Sequence, residues 1–267
     1  MEHQTDSDYL QKQVYDSAYD LDVRTHILSH YLAHAPNWYD WLFEQLTLPE
    51  CGRILELGCG PGDLWQQNRS HLRLDGHVCL SDLSPGMVQA ARRRLGHHMP
   101  PFSFAVLDVT ALPFAENRFD VVLAFGLLDH LADTQQALTE VQRVLRPNGL
   151  FYTSAGGSSH LHQLESLIKP FLPEANYGGD SNQFGLRNGA RLLAPFFREV
   201  QQQPYENALI FRDPVPLAAY ILSEPEIRQQ LSAARLAAFQ RHIRQEIEKS
   251  REMRITIKKG LFIGKRG

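Results

Sequence analysis

The sequence predicts an open, doubly wound α/β sheet, and three observations predict it. A short apolar run, Arg53 to Leu57, carries Glu56 and passes directly into glycines at alternate positions, Gly58, Gly60 and Gly62. Further apolar runs alternate with segments of helical periodicity over residues 77–154, the pattern of parallel strands joined by crossover helices. The run Asp120 to Phe125 is apolar almost throughout, as a central strand covered on both faces must be.

The elements follow in order. Residues 9–34 have helical spacing, with Tyr9, Val14, Tyr15, Ala18 and Tyr19 mixing aromatic and aliphatic positions, and Pro36-Asn37 breaks the pattern. Residues 38–46 predict a second short helix with Trp38, Trp41, Leu42 and Gln45 on one face. The first strand is 53–57 and the second 77–81. Ser84-Pro85 opens a helix, because serine caps orphan N–H groups and proline fits the first turn. Met87, Ala90, Ala91 and Leu95 give that helix its buried stripe. Strands three, four and five are expected at 102–107, 120–125 and 150–154. A helix over 133–145 precedes the fifth strand and is stopped by Pro147-Asn148-Gly149. Beyond Gly157 the pattern loosens. It gives a helix at 160–171, a surface loop at 173–185, a short helix at 188–196 and a sixth strand at 197–205. Helices at 214–223 and 224–250 follow, the second with Ile227, Leu231, Phe239, Ile243 and Ile247 in one stripe, and a final strand at 254–263.

A tight glycine turn after one strand, with Asp82 at the end of the next, is the layout of a nucleoside pocket. Glycine lets the backbone approach a ligand closely, and the acid accepts hydrogen bonds from ribose hydroxyls. The spacing G-x-G-x-G differs from the G-x-G-x-x-G that seats a dinucleotide pyrophosphate on a helix N-terminus. Glu56 at the loop entrance would repel a pyrophosphate and suits a cationic ligand.

Glu56-Leu57-Gly58-Cys59-Gly60-Pro61-Gly62 resembles the first motif of the class I S-adenosylmethionine-dependent methyltransferases of small-molecule type. The resemblance continues through Asp82-Leu83-Ser84-Pro85-Gly86-Met87, Asp108 to Phe114, Phe119 to Val122 and Arg143 to Gly149, covering roughly residues 50–157. It implies a Rossmann-like sheet of seven strands, the last antiparallel, with helical cap elements at the N-terminal and C-terminal ends. It implies an N-terminal helical cap over 1–48 and a methyltransferase domain over 49–267, with helical insertions at about 158–196 and 212–250 covering the substrate side. The implied cofactor is S-adenosylmethionine.

The resemblance also assigns roles. Gly58, Gly60 and Gly62 form the turn under the methionine part of the donor, with Glu56 near its amino end. Asp82 accepts from the ribose, although an acid capping the turn at Ser84 fits the same position. Asp108 accepts from the adenine amino group and Val109 offers its backbone N–H, although Asp108 also suits a strand-ending turn. Leu83 packs on the adenine ring, with Met87 a weaker candidate. Phe125, at the end of the fourth strand, faces the sulfonium and the acceptor. Tyr15, Tyr19 and Arg24 are lid residues over the donor, and Trp38 and Trp41 line the acceptor pocket or pack. His130 is the candidate general base, ahead of His160 and His162.

The segment Ala124-Phe125-Gly126-Leu127 lacks the Asn/Asp-Pro-Pro-aromatic motif of base and glutamine amino-methyltransferases, which disfavours nucleic acid as substrate. A net charge of -3 gives no basic footprint for it either. His26, His30 and His34 share a helix face at ligating spacing, but no acid or thiol completes a site, so no metal is expected. No apolar run reaches membrane-spanning length, the polar start Met1 to Asp8 does not read as a signal peptide, and the three cysteines read as reduced. The expectation is a cytoplasmic enzyme acting on a small-molecule acceptor. Methylation of tRNA, rRNA or protein, and non-catalytic binding of S-adenosylmethionine, are the alternatives.

Overall fold

The structure is a computed structural model that describes residues 19–72, 75–96, 102–174 and 183–267. Its strands are β1 (Arg53–Leu57), β2 (His77–Asp82), β3 (Phe102–Val106), β4 (Phe119–Phe125), β5 (Leu145–Gly156), β6 (Glu199–Phe211) and β7 (Met253–Lys265). They form one seven-stranded sheet in the order β3-β2-β1-β4-β5-β7-β6. β1 to β5 pair in parallel, and β7 runs antiparallel to both of its neighbours, as expected of the last strand.

The period of two along each strand divides the core into two layers. Ile54, Val121 and Leu123 face one layer, while Leu55, Leu57, Val122 and Ala124 face the other. The first layer is closed by α1 (Tyr19–His30), α2 (Trp38–Gln45), α3 (Asp63–Gln67), α6 (His162–Ile168), α8 (Pro214–Leu222), α9 (Pro225–Gln230) and α10 (Ala233–Ser250). The second is closed by α5 (Thr134–Val144) and α7 (Gly189–Leu193). The last of the helices, α4 (Pro85–Leu95), buries Met87, Ala90, Ala91 and Leu95, the stripe its sequence carries. Ser84 accepts from the Met87 N–H and Asp133 from that of Gln136, so the two crossover helices start on side-chain caps.

Several boundaries differ from the sequence expectation. The helix before β5 ends at Val144, and β5 starts at Leu145, taking in the Pro147-Asn148-Gly149 expected to stop that helix. The N-terminal helix stops at His30, not residue 34, and what precedes Tyr19 lies outside the described residues. Residues 31–33 instead lie along β6: the Ala33 N–H donates to Ala208 O at 2.8 Å and that of Ile210 to Tyr31 O at 2.7 Å. An edge strand's open backbone groups won over helical periodicity there. The span 224–250 is two helices, because Leu231 is extended (φ -89°, ψ 110°) and Ser232 caps a new start by accepting from the Arg235 N–H. β6 continues past Tyr205 to Phe211, paired with β7 from Glu199↔Lys265 to Phe211↔Met253. Finally, a short helix, α3, follows the glycine loop, where the sequence gave no periodic signal.

Candidate active site

The carboxyl ends of β1, β2, β4 and β5 meet at one edge of the sheet, where open α/β sheets bind their ligands. The loop leaving β1 takes left-handed backbone at Gly58, Gly60 and Gly62 (φ 66°, 53° and 86°). Two of these glycines serve different ends. A Cβ on Gly62 would sit 2.6 Å from Leu95 Cδ1, so this glycine lets α4 pack close. Among the described residues, a Cβ on Gly60 would meet only Leu21 Cδ1, at 3.9 Å, and one on Gly126 would meet nothing within 4 Å. Gly60 and Gly126 therefore border open space at the ends of β1 and β4.

Asp82 holds this edge together. Its Oδ2 accepts from the Gly60 N–H and its Oδ1 from the Ser84 N–H, both at 2.9 Å. The carboxylate is thus oriented by backbone, the Leu83 N–H among its donors, and keeps acceptor capacity for a ligand hydroxyl. Burial raises its pKa, and the backbone donors oppose that. Both readings of Asp82, turn fastener and ligand acceptor, fit the same geometry.

Glu56 is 4% exposed and its Oε2 accepts from the indole N–H of Trp65 at 2.5 Å. Burial pushes its pKa up to about 8, the Trp65 bond lowers it, and the charges of Asp82 and Asp63 raise it further. Asp63, directly after the glycine loop, is buried and accepts from the Thr25 hydroxyl at 2.9 Å and from Arg94 at 2.7 Å. Arg94 also pairs with Asp22. Thr25, Asp63, Arg94 and Asp22 so fasten α1 over the glycine loop.

At the end of β3, Asp108 is exposed, and its Oδ1 accepts from the Thr110 N–H at 2.8 Å and the Thr110 hydroxyl at 2.7 Å. This turn fixes the carboxylate at the surface. Val109 is buried among the second core layer. Leu83 is half-buried after Asp82, whereas Met87 is 1% exposed and belongs to the core. Phe125 is half-buried at the tip of β4. His130 ends a single 3-10 turn, Leu128–His130, and its N–H donates to Leu127 O at 3.0 Å.

Arg24 lies on α1, paired with Glu224 and with its guanidinium 5.6 Å from the centre of the Tyr220 ring. Tyr15 and the side chain of Tyr19 lie outside the described residues. His160 accepts at Nδ1 from the Lys258 N–H at 3.2 Å, and burial, then the charges of Lys259 and Arg24, hold its pKa well below the usual imidazole range. His162 is exposed, with Nδ1 2.9 Å from Ser159 O. His26 and His30 stack at 4.0 Å on an exposed face, and no group of three or more potential ligands among the described residues could hold a metal. A groove of about 400 Å³ between α1 and α8, bordered by Val23, Ile27, Tyr31 and Pro216, shares no residue with the glycine loop.

The residues unforeseen from sequence are the partners, Thr25, Asp63, Trp65 and Arg94. Asp63 alone carried a signal, an acid in the first turn after a glycine loop. The others meet it or Glu56 only through the fold.

A methyltransferase domain family model matches residues 54–149, from β1 into β5. The ubiquinone/menaquinone biosynthesis C-methyltransferase UbiE of Hahella chejuensis is 36% identical over 116 residues, 40% of this chain and 46% of that protein. The demethylmenaquinone methyltransferase of Symbiobacterium thermophilum is 31% identical over 122 residues, 44% of this chain and 49% of that protein. The chain thus spans about half the length of these relatives. In fold it is similar to the Haemonchus contortus phosphoethanolamine N-methyltransferase 2 solved with S-adenosyl-L-methionine. That likeness has a TM-score of 0.59 at 17% identity, over 97% of this chain and 59% of that one.

Proposed function

We propose that this chain, which carries a class I S-adenosylmethionine-dependent methyltransferase domain, transfers a methyl group from that donor to a small-molecule acceptor. The observation that carries the reading is Asp82: a carboxylate at the tip of β2, locked by the Gly60 N–H beside open backbone at Gly60 and Gly126. The donor's chemistry fits these residues. Asp82 would take the ribose hydroxyls and Asp108 the adenine amino group, flanked by Leu83 and the Val109 N–H. The loop Gly58 to Gly62 would take the methionine part, with Glu56 behind it and Arg24, Tyr15 and Tyr19 above. Bound there, the sulfonium supplies an already activated methyl group. What the chain adds is alignment of acceptor, methyl carbon and sulfur, worth up to about 7–11 kcal/mol. Phe125 would face that line, and His130 is the candidate to take a proton from the acceptor.

A small acceptor is favoured by the cover over the site. α1, α2 and α8 to α10 pack on the same core layer and lie outside the segment matched by the family model. The names of the two relatives point the same way, but their match covers the donor half. Among the described residues no helix is long and apolar enough to cross a membrane, and the cysteines are free, which supports placement in the cytoplasm.

The test uses methyl-labelled S-adenosylmethionine with the protein in a fractionated cell extract. Label in the low-molecular-weight fraction is expected. Label confined to RNA or protein would move the acceptor to a macromolecule. Donor binding in calorimetry without any transfer would leave a binding protein.

A further inference from the structure

Lys259 stands on β7 opposite Gly156 of β5 and Tyr205 of β6, at the edge of the sheet that carries Gly60, Asp82 and Gly126. Its ammonium lies 4.8 Å from the centre of the Trp38 ring, and among the described residues it has no hydrogen-bond or ion-pair partner. An aromatic face is a weak substitute for water around an ammonium. Burial draws its pKa down to about 8, the charge of Arg24 adds to this, and Asp129 opposes it.

Asp129 supplies the complement. It sits in the turn after β4, and its Oδ1 is buried with no hydrogen-bond partner among the described residues. Arg24, His160 and Tyr205, near Lys259, are engaged with other groups. Arg24 is paired with Glu224 and lies over Tyr220. His160 accepts from the Lys258 N–H. The Tyr205 hydroxyl donates to Pro36 O at 3.0 Å and accepts from Asn207 at 3.1 Å. A cation without an acceptor and a buried carboxylate oxygen without a donor thus lie within each other's field, where each costs free energy unless something completes it. Beside them, Trp38, Trp41 and Tyr205 form an aromatic cluster with ring centres 5.2–5.5 Å apart.

We propose that Lys259 and Asp129 form the acceptor subsite and that the acceptor is a phenol, whose hydroxyl accepts from the Lys259 ammonium and donates to the Asp129 carboxylate. The aromatic cluster takes the ring. Asp129 orients the neutral hydroxyl, the proton leaves to His130, the candidate base, and the phenolate oxygen stays against Lys259, which favours the anion without itself taking a proton. The inference rests on the methyl-transfer reading and gives its substrate class.

The probe is 4-nitrophenol, whose anion is followed by visible absorbance, added to the whole protein saturated with S-adenosylhomocysteine. The wild-type chain is expected to bind it and lower its apparent pKa by about one unit or more. Lys259→Met should weaken binding about tenfold or more and return the pKa to that of the free probe. Lys259→Arg should keep most of both effects, and Asp129→Asn should weaken binding of the protonated probe. Calorimetry with S-adenosylhomocysteine is run on every variant and should show unchanged affinity. If the wild type binds S-adenosylhomocysteine but not the probe, or Lys259→Met behaves as wild type, the subsite is wrong and the methyl-transfer reading stands. If the wild type does not bind S-adenosylhomocysteine, that reading falls and takes the subsite with it.

Discussion

A carboxyl group as enclosed as that of Glu56 works against its own ionisation. Its folded-state pKa, about 8, lies above the roughly 4.3 of an unfolded glutamate, so the protonated acid favours the native state. That stability is full below about pH 4 and is lost as pH rises towards about 8. Glu56→Gln keeps an acceptor for Trp65 and cannot ionise. Its melting temperature should match wild type near pH 5 and exceed it by several degrees at pH 9, at about 2–4 °C per kcal/mol for a chain of this size. A difference that stays constant across that range would rule the shift out. Burial raises the pKa of Asp82 as well, but there the backbone N–H groups of Ser84, Gly60 and Leu83 oppose it and orient the carboxylate. Asp82→Ala should lower S-adenosylhomocysteine affinity by about 1.5–3 kcal/mol in calorimetry, with the sheet retained by circular dichroism. His130→Ala should cut kcat by about 10²-fold or more if the imidazole takes the acceptor's proton, with donor affinity unchanged. An unchanged kcat would leave His130 as a turn residue.

Among the elements, α1 is the one whose position depends on a few polar ties. Thr25 donates to Asp63, and Arg94 joins Asp63 to Asp22, so this helix is fixed to the loop it covers. Thr25→Val with Asp22→Asn should speed amide exchange in α1 about tenfold, with exchange in β1 and β4 unaffected. Donor affinity should fall with it, and intact affinity would show that the cover is dispensable to the donor. The elements also differ in how far the sequence foretold them. β1, β2 and β4 were legible because each is a short run buried on both faces, and the α4 and α5 caps were legible because capping is local. β6 was foreseen only in part: Gln201-Gln202-Gln203-Pro204 reads as polar surface, and its pairing with β7 is settled by residues far along the chain. The glycine loop and its acids were legible as a motif. The Thr25–Asp63–Arg94 tie was not, since its members lie 38 and 31 positions apart. Lys259 was hidden for the same reason, as one of two adjacent lysines in an ordinary strand pattern.

At the scale of the whole molecule, the residues proposed to hold the donor lie within 54–149, together with Phe125, Asp129 and His130 on the acceptor side, while the helical cover comes from either side of that stretch. A ligand held by β1, β2 and β4 together should therefore stabilise the sheet as a unit. S-adenosylhomocysteine at about 100 times its Kd should add about 2.7 kcal/mol, or roughly 5–10 °C in melting temperature, while NAD at the same concentration should add nothing. No shift with S-adenosylhomocysteine would place the donor elsewhere. The long β6–β7 ladder has one more consequence. Because Phe211 pairs with Met253, the chain leaves the sheet and returns to it at neighbouring points, and everything from 212 to 252 hangs from that one closed mouth. Such a segment is a replaceable cassette. Its length and its exposed side chains can change without moving the register of a single strand, so a lineage could remodel the cover while inheriting the sheet and its glycine loop untouched.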